Sequence, residues 1–136
     1  MKKSFIMVGI VILLISIGLC GCTENNKVSN TFTILIDNST SSDISVNIKI
    51  VGSGFSYNRD IPIKMGASNT TTFNLQLIEQ HVNFTITASY VDRPDISQSK
   101  DSGWNFSPTP EGWNFHFKVY GSIAVTPPSI DIQGPL

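Results

Sequence analysis

The sequence predicts an all-β domain: one sandwich of two antiparallel sheets with seven or eight strands, following an N-terminal segment of different character. Three observations predict it. Apolar and polar residues alternate with a period of two along several runs rich in Val, Ile, Thr and Phe. Turn-forming clusters separate those runs at near-regular spacing. No window shows the 3.6-residue recurrence of an amphipathic helix. Strands that are each apolar on one face and polar on the other pack as two layers.

The elements follow in order. Lys2 and Lys3 precede an uncharged apolar run, Phe5 to Leu19, which has the form of an export signal. At about 15 residues the run is short for a spanning helix, which needs roughly 20. It ends in Leu19-Cys20-Gly21-Cys22. This ending resembles the lipobox of lipoprotein signal peptides. The resemblance implies cleavage before Cys22 and a thioether lipid on its sulfur. Residues 1–21 are then the signal peptide, and residues 22–30 a polar tether, "CTENNKVSN". An uncleaved anchor helix is the other reading of the leader. Either form holds residues 31–136, the sandwich domain, on the outer face of the cytoplasmic membrane. Cys22 is the only cysteine of the cleaved chain, so no disulfide framework is expected.

Phe32, Ile34 and Ile36 share one face of the first run, and Ile44, Val46, Ile48 and Ile50 one face of the second. "DNSTSSD" between them reads as a turn. After Gly52-Ser53-Gly54 a weaker run aligns Tyr57, Arg59, Ile61 and Ile63, and Pro62 marks it as an edge. Thr71, Phe73, Leu75 and Leu77 form the next face, then Val82, Phe84, Ile86, Ala88 and Tyr90. Asp92 to Ser102 reads as a long polar loop. Trp113, Phe115, Phe117 and Val119 share a face, and "SIDIQ" closes the chain beyond Pro127-Pro128.

Trp-Asn-Phe occurs twice, at 104–106 and 113–115, around "SPTPEG". The simplest reading is one hairpin with Phe106 opposite Trp113 and Trp104 opposite Phe115. The four rings then lie together, either in the core or as an exposed aromatic platform for sugar rings.

Composition excludes some functions and leaves others open. Charged residues are 14% of the 136, and the net charge is −1. That is no basis for nucleic-acid binding. Asn-x-Ser/Thr occurs at Asn38, Asn69, Asn83 and Asn105. Chance alone gives about 2.5 such matches in a chain this rich in Asn, Ser and Thr. Asn38 and Asn69 are expected in turns and Asn83 on an outward face, where glycans fit, whereas Pro108 follows the Asn105 site and disfavours it. A lipobox together with such sites suits an archaeal cell surface.

His81 and His116 lack the neighbours that metal-ligand spacing requires, so no metal or other cofactor is expected. Asp92, Asp95 and Asp101 read as solvated loop acids. No nucleophile elbow and no glycine-rich phosphate loop occurs, so no catalytic residue is assigned. The mature pattern resembles the immunoglobulin-like and fibronectin-type sandwiches of surface lipoproteins. The resemblance lies in the alternating runs at 32–36, 44–50, 71–77, 82–90 and 113–119, without the Cys…Trp…Cys hallmark. The expected function is a non-enzymatic, lipid-anchored module that binds a surface protein or glycan. Carbohydrate binding through Trp104 and Trp113 is the alternative, and a small hydrolase comes third.

Overall fold

A computed structural model describes residues 31–74, 80–107, 109 and 111–135. The leader, Cys22, the tether, Leu75, Leu77, Pro108 and Pro110 lie outside the described residues.

Eight strands follow one another: β1 (Thr31–Thr40), β2 (Ile44–Gly52), β3 (Phe55–Ile63), β4 (Ser68–Asn74), β5 (Gln80–Tyr90), β6 (Ser97–Phe106), β7 (Trp113–Ser122) and β8 (Ser129–Gln133). They form two four-stranded sheets, ordered β4-β1-β7-β8 and β3-β2-β5-β6. The core lies between them. Phe32, Ile34 and Ile36 of β1, the four aliphatics of β2, and Val82, Phe84, Ile86, Ala88 and Tyr90 of β5 are fully or almost fully buried. The period-two expectation holds for these strands and for Phe115, Phe117 and Val119 of β7.

Four expectations are corrected. First, the sandwich is not purely antiparallel. β1 and β7 run parallel at the centre of their sheet, with Ile34 opposite Phe115 and Ile36 opposite Phe117. Periodicity within a strand fixes its buried face and not its partner or direction. Second, the two Trp-Asn-Phe copies are not arms of one hairpin. Residues 104–106 end β6, paired to β5, and residues 113–115 begin β7 in the other sheet. The rings nonetheless meet across the sandwich, Phe106 with Trp113 at 4.9 Å and Trp104 with Phe115 at 5.3 Å between centroids.

Third, Ser97–Ser102 is strand and not loop; the connection is only residues 91–96. The inward positions there are Gln98, Lys100 and Ser102, opposite Ala88, Ile86 and Phe84. β6 is an edge strand, and an inward charge on an edge discourages pairing with another sheet. Fourth, β1 runs through the expected turn to Thr40, leaving Ser41–Asp43 as the connection. The same alternation that buries Ile36 therefore carries Asn38 and Thr40 inward.

Those two polar side chains are buried with their needs met. Asn38 Nδ2 donates to the carbonyls of Ser42 and Ile63, both at 3.0 Å. Its Oδ1 accepts from the Thr40 amide at 2.9 Å and the Thr40 hydroxyl at 2.7 Å. Among the described residues no buried side-chain nitrogen or oxygen lacks a partner.

Candidate functional site

The alternation of connections gives the sandwich two unlike ends. β1 enters at one end, where the β2–β3 turn and the 107–112 connection also lie. Among the described residues, four more connections, 41–43, 64–67, 91–96 and 123–128, lie at the opposite end.

Asp43 ties three of the distal connections together. Its Oδ1 accepts the Met65 amide at 2.9 Å and its Oδ2 meets Lys64 Nζ at 2.7 Å. Its carbonyl accepts the Val91 amide at 3.1 Å. The Lys64 ammonium, and then the Met65 N–H, hold the Asp43 carboxyl below its ordinary value. Ser41 brings in the fourth connection: its amide donates to the Gly121 carbonyl and its Oγ accepts from the Ile123 amide. On this braced tip Met65, Val91 and Val125 are exposed, Met65 by 60%. Connections held by a rigid scaffold are where binding residues concentrate. Sequence reasoning missed this end, because it requires four connections remote in sequence to be neighbours. The signal available was Met65 standing alone among polar turn residues.

The opposite end is aromatic. Phe32 touches Phe84, Phe106 and Phe115 at 5.7, 5.2 and 4.8 Å. Phe55, Tyr57 and Phe73 continue the layer toward β3 and β4, where the Arg59 guanidinium lies 5.4 Å from the Phe73 ring. Trp113 stacks near Phe115 and donates its indole N–H to the Ser107 carbonyl at 3.1 Å. The expected four-ring platform is not present in that form. Phe106 and Phe115 are buried core residues, and Trp113 is half-buried. Trp104 is the exposed member, at 37%. Rings that point between two sheets can reach solvent only at the rim.

The four sequon asparagines separate sharply. Asn38 is 2% exposed with both amide protons donated, so the folded domain has no room for a glycan there. Asn69 is half-buried in β4, and its Oδ1 accepts from the Thr71 hydroxyl at 3.0 Å. Asn83 and Asn105 are exposed and flank His81. Asn105 Oδ1 lies 2.8 Å from Nδ1 of that ring and Asn83 Oδ1 3.2 Å from Nε2. These contacts use the carboxamide oxygens and not the nitrogens that a glycan would occupy.

The outward face of the other sheet brings Ser68, Asp37 and His116 together. Asp37 Oδ1 accepts from the Ser68 hydroxyl at 2.5 Å and Oδ2 from His116 Nε2 at 2.6 Å. The Ser68 bond first, and the His116 bond second, lower the Asp37 carboxyl below its ordinary value. A nucleophilic serine needs the imidazole as its base, and here the carboxylate stands between the two. The arrangement is a structural cross-link of β4, β1 and β7.

The acids of the predicted polar loop do not converge. Asp95 forms a two-point pair with Arg93 at 2.7 and 2.9 Å, and Asp101 accepts from Thr85 at 2.6 Å. Among the described residues no three His, Cys, Asp or Glu are placed to hold a metal.

The fold defines an all-β two-sheet sandwich. No family model and no curated protein matches the chain. A solved structure is similar to it, the NMR structure of a protein from Eubacterium rectale, at 15% identity and a TM-score of 0.38. That similarity covers 83% of this chain and 94% of the other.

Proposed function

We propose that the chain is a non-enzymatic, lipid-anchored protein of the cell surface, whose immunoglobulin-like sandwich presents an interaction module. One observation carries the reading: the chain enters the domain at one end, and the braced connections with Met65, Val91 and Val125 lie at the other. Attachment through Cys22 leaves that distal end free to meet a partner, a surface protein or glycan. Glycans fit Asn83 on the side face best; Asn69 is half-buried, and Asn105, though exposed, has Pro108 after its sequon.

Two measurements test it. The cleaved wild type partitions with membranes, and its N-terminal peptide carries lipid on Cys22. The Cys22→Ser variant leaves the membrane fraction; a cleaved variant that stays bound sinks the anchor. For the module, Met65→Ser, Val91→Ser and Val125→Ser together abolish cross-linking to surface partners in intact cells while the sandwich stays folded. Unchanged cross-links would move the binding surface elsewhere.

The second reading, carbohydrate binding, is favoured by the exposure of Trp104 alone. Oligosaccharides that shift tryptophan emission saturably, and cease to do so in Trp104→Ala, would establish it.

A further inference from the structure

The aromatic rings of the domain are polarised along its long axis. Every ring-to-ring contact described here joins residues from one set: Phe32, Phe55, Tyr57, Phe73, Phe84, Trp104, Phe106, Trp113, Phe115 and Phe117. Apart from Phe117, which pairs with Ile36 at mid-strand, that set fills the end where β1 begins; Tyr120, 41% exposed, lies toward the other end. The distal half of the core is mainly aliphatic: Ile36, Ile44, Val46, Ile61, Ile63, Ala88, Val119 and Ile130, with Tyr90. At the rim of the aromatic end Trp104 and Tyr57 are exposed by 37% and 38%, and Trp113 and Phe55 are half-buried.

The number of residues between Cys22 and Thr31 sets what this end can meet. Nine steps of chain span at most about 32 Å when fully extended. A nine-step random coil averages roughly 16 Å between its ends. The eleven residues of β5 make the sandwich about 36 Å long. The average reach is therefore less than half the length of the domain. With lipid on Cys22, the average reach keeps the end bearing Thr31 nearer the bilayer surface than the distal connections.

Amphipathic rings are the side chains enriched where hydrocarbon gives way to headgroups. Tyr57 and Trp113 each keep a polar atom engaged beside an apolar body, through the Asn74 carbonyl at 3.2 Å and the Ser107 carbonyl at 3.1 Å. Glu111, exposed beside Trp113, sets the depth at the headgroup zone, since a carboxylate does not enter hydrocarbon. We infer that the aromatic end, through Trp104, Trp113 and Tyr57, docks on the lipid headgroup layer of the membrane that holds the anchor. The inference rests on the lipid attachment at Cys22 proposed above. It makes the domain an oriented post and not a freely tumbling bead.

The two tryptophans of the chain both lie at this end, so native fluorescence reads the docking. The full lipidated protein is reconstituted into phosphatidylcholine vesicles with a nitroxide on a fraction of the headgroups. Tryptophan emission is expected to fall by roughly twofold or more relative to unlabelled vesicles. Trp104→Phe and Trp113→Phe, each leaving one reporter, should both retain quenching. Inserting a long Gly-Ser spacer after Ser29 should leave most of it if the rings bind the interface. Vesicle-bound protein whose emission ignores the labelled headgroups overturns the docking. So does quenching that vanishes with the longer spacer, because the tether alone was then holding the end close. Protein that does not float with vesicles at all instead overturns the lipid anchor, and the two failures are read separately.

Discussion

The carboxamide of Asn38, in one sheet, donates a 3.0 Å hydrogen bond to the carbonyl of Ile63, in the other. It is a buried polar bridge across a mainly apolar core, with the Ser42 carbonyl and the amide and hydroxyl of Thr40 as its further partners. Asn38→Ala strands the Ile63 carbonyl and the Thr40 amide inside the fold, while the Thr40 hydroxyl and the Ser42 carbonyl keep each other at 2.8 Å. The expected cost is about 2–4 kcal/mol, since each buried group left unpaired costs about 1–3 and some of these regain partners by relaxation. Asn38→Asp should be at least as damaging, because a carboxylate cannot donate to two carbonyls. Urea denaturation measures both. A loss under about 0.5 kcal/mol for the alanine variant would contradict the bridge.

Asp37 gives an acid limb to the stability curve. Its folded carboxyl titrates below the ordinary 3.8, held down first by Ser68 and then by His116. A group depressed on folding adds stability above its unfolded value, and that stability is lost as pH falls through the folded value. Wild type is therefore expected to exceed Asp37→Asn near neutral pH, with the gap closing below the 3.8 reference. Thermal melts across an acid pH series test the sign. A gap that stays constant into strong acid would show that the carboxylate charge plays no part.

Gly121 and Gly103 should respond oppositely to alanine. Gly121 has φ +142°, and a Cβ there would lie 2.3 Å from the Ser129 carbonyl oxygen, a backbone atom of the paired strand β8. Gly121→Ala must part β7 from β8 and is expected to cost about 3 kcal/mol or more. A Cβ on Gly103 would meet the ring of His81 at 2.7 Å and Asn83 Oδ1 at 2.9 Å, both ends of exposed side chains that can shift by giving up a surface hydrogen bond. Gly103→Ala is expected to stay within about 1 kcal/mol. Equal losses in the two variants would reject this account of the β7–β8 approach.

Phe32 is the hub of the aromatic end, fully buried against three other rings. Phe32→Ala should cost about 3–5 kcal/mol through the cavity it leaves. Trp104→Ala, at the rim, should cost less than half as much. Chemical denaturation of the pair measures the gradient from hub to rim.

These residues also show where sequence reasoning stops. The buried faces of β1, β2, β5 and β7 were legible because each strand is covered on one side along nearly its whole length, which imposes strict alternation. The first half of β6 was not legible. It lies at an edge, so Gln98, Lys100 and Ser102 stand where a central strand would carry aliphatics. Asn38 was legible in principle, since stepping by two from Phe32 lands on it, but its company of Ser and Thr suggested a turn. The contact of Phe106 with Trp113 was anticipated for the wrong reason: a proline-rich link can turn a chain between layers as readily as within one. The Ser68–Asp37–His116 bridge and the Asp43 hub depend on strand pairing, which alternation does not encode.

The parallel seam between β1 and β7 has a consequence for synthesis. The two strands meet in the middle of their sheet, yet Phe32 and its partner Trp113 are separated by most of the domain. A polypeptide emerging amino end first holds β1 with one bare hydrogen-bonding side until the seventh strand arrives. Closure of the long loop comes late and is entropically slow. Nascent fragments ending before residue 113 lack the keystone of that layer and cannot complete it, so the domain matures only as a nearly finished chain.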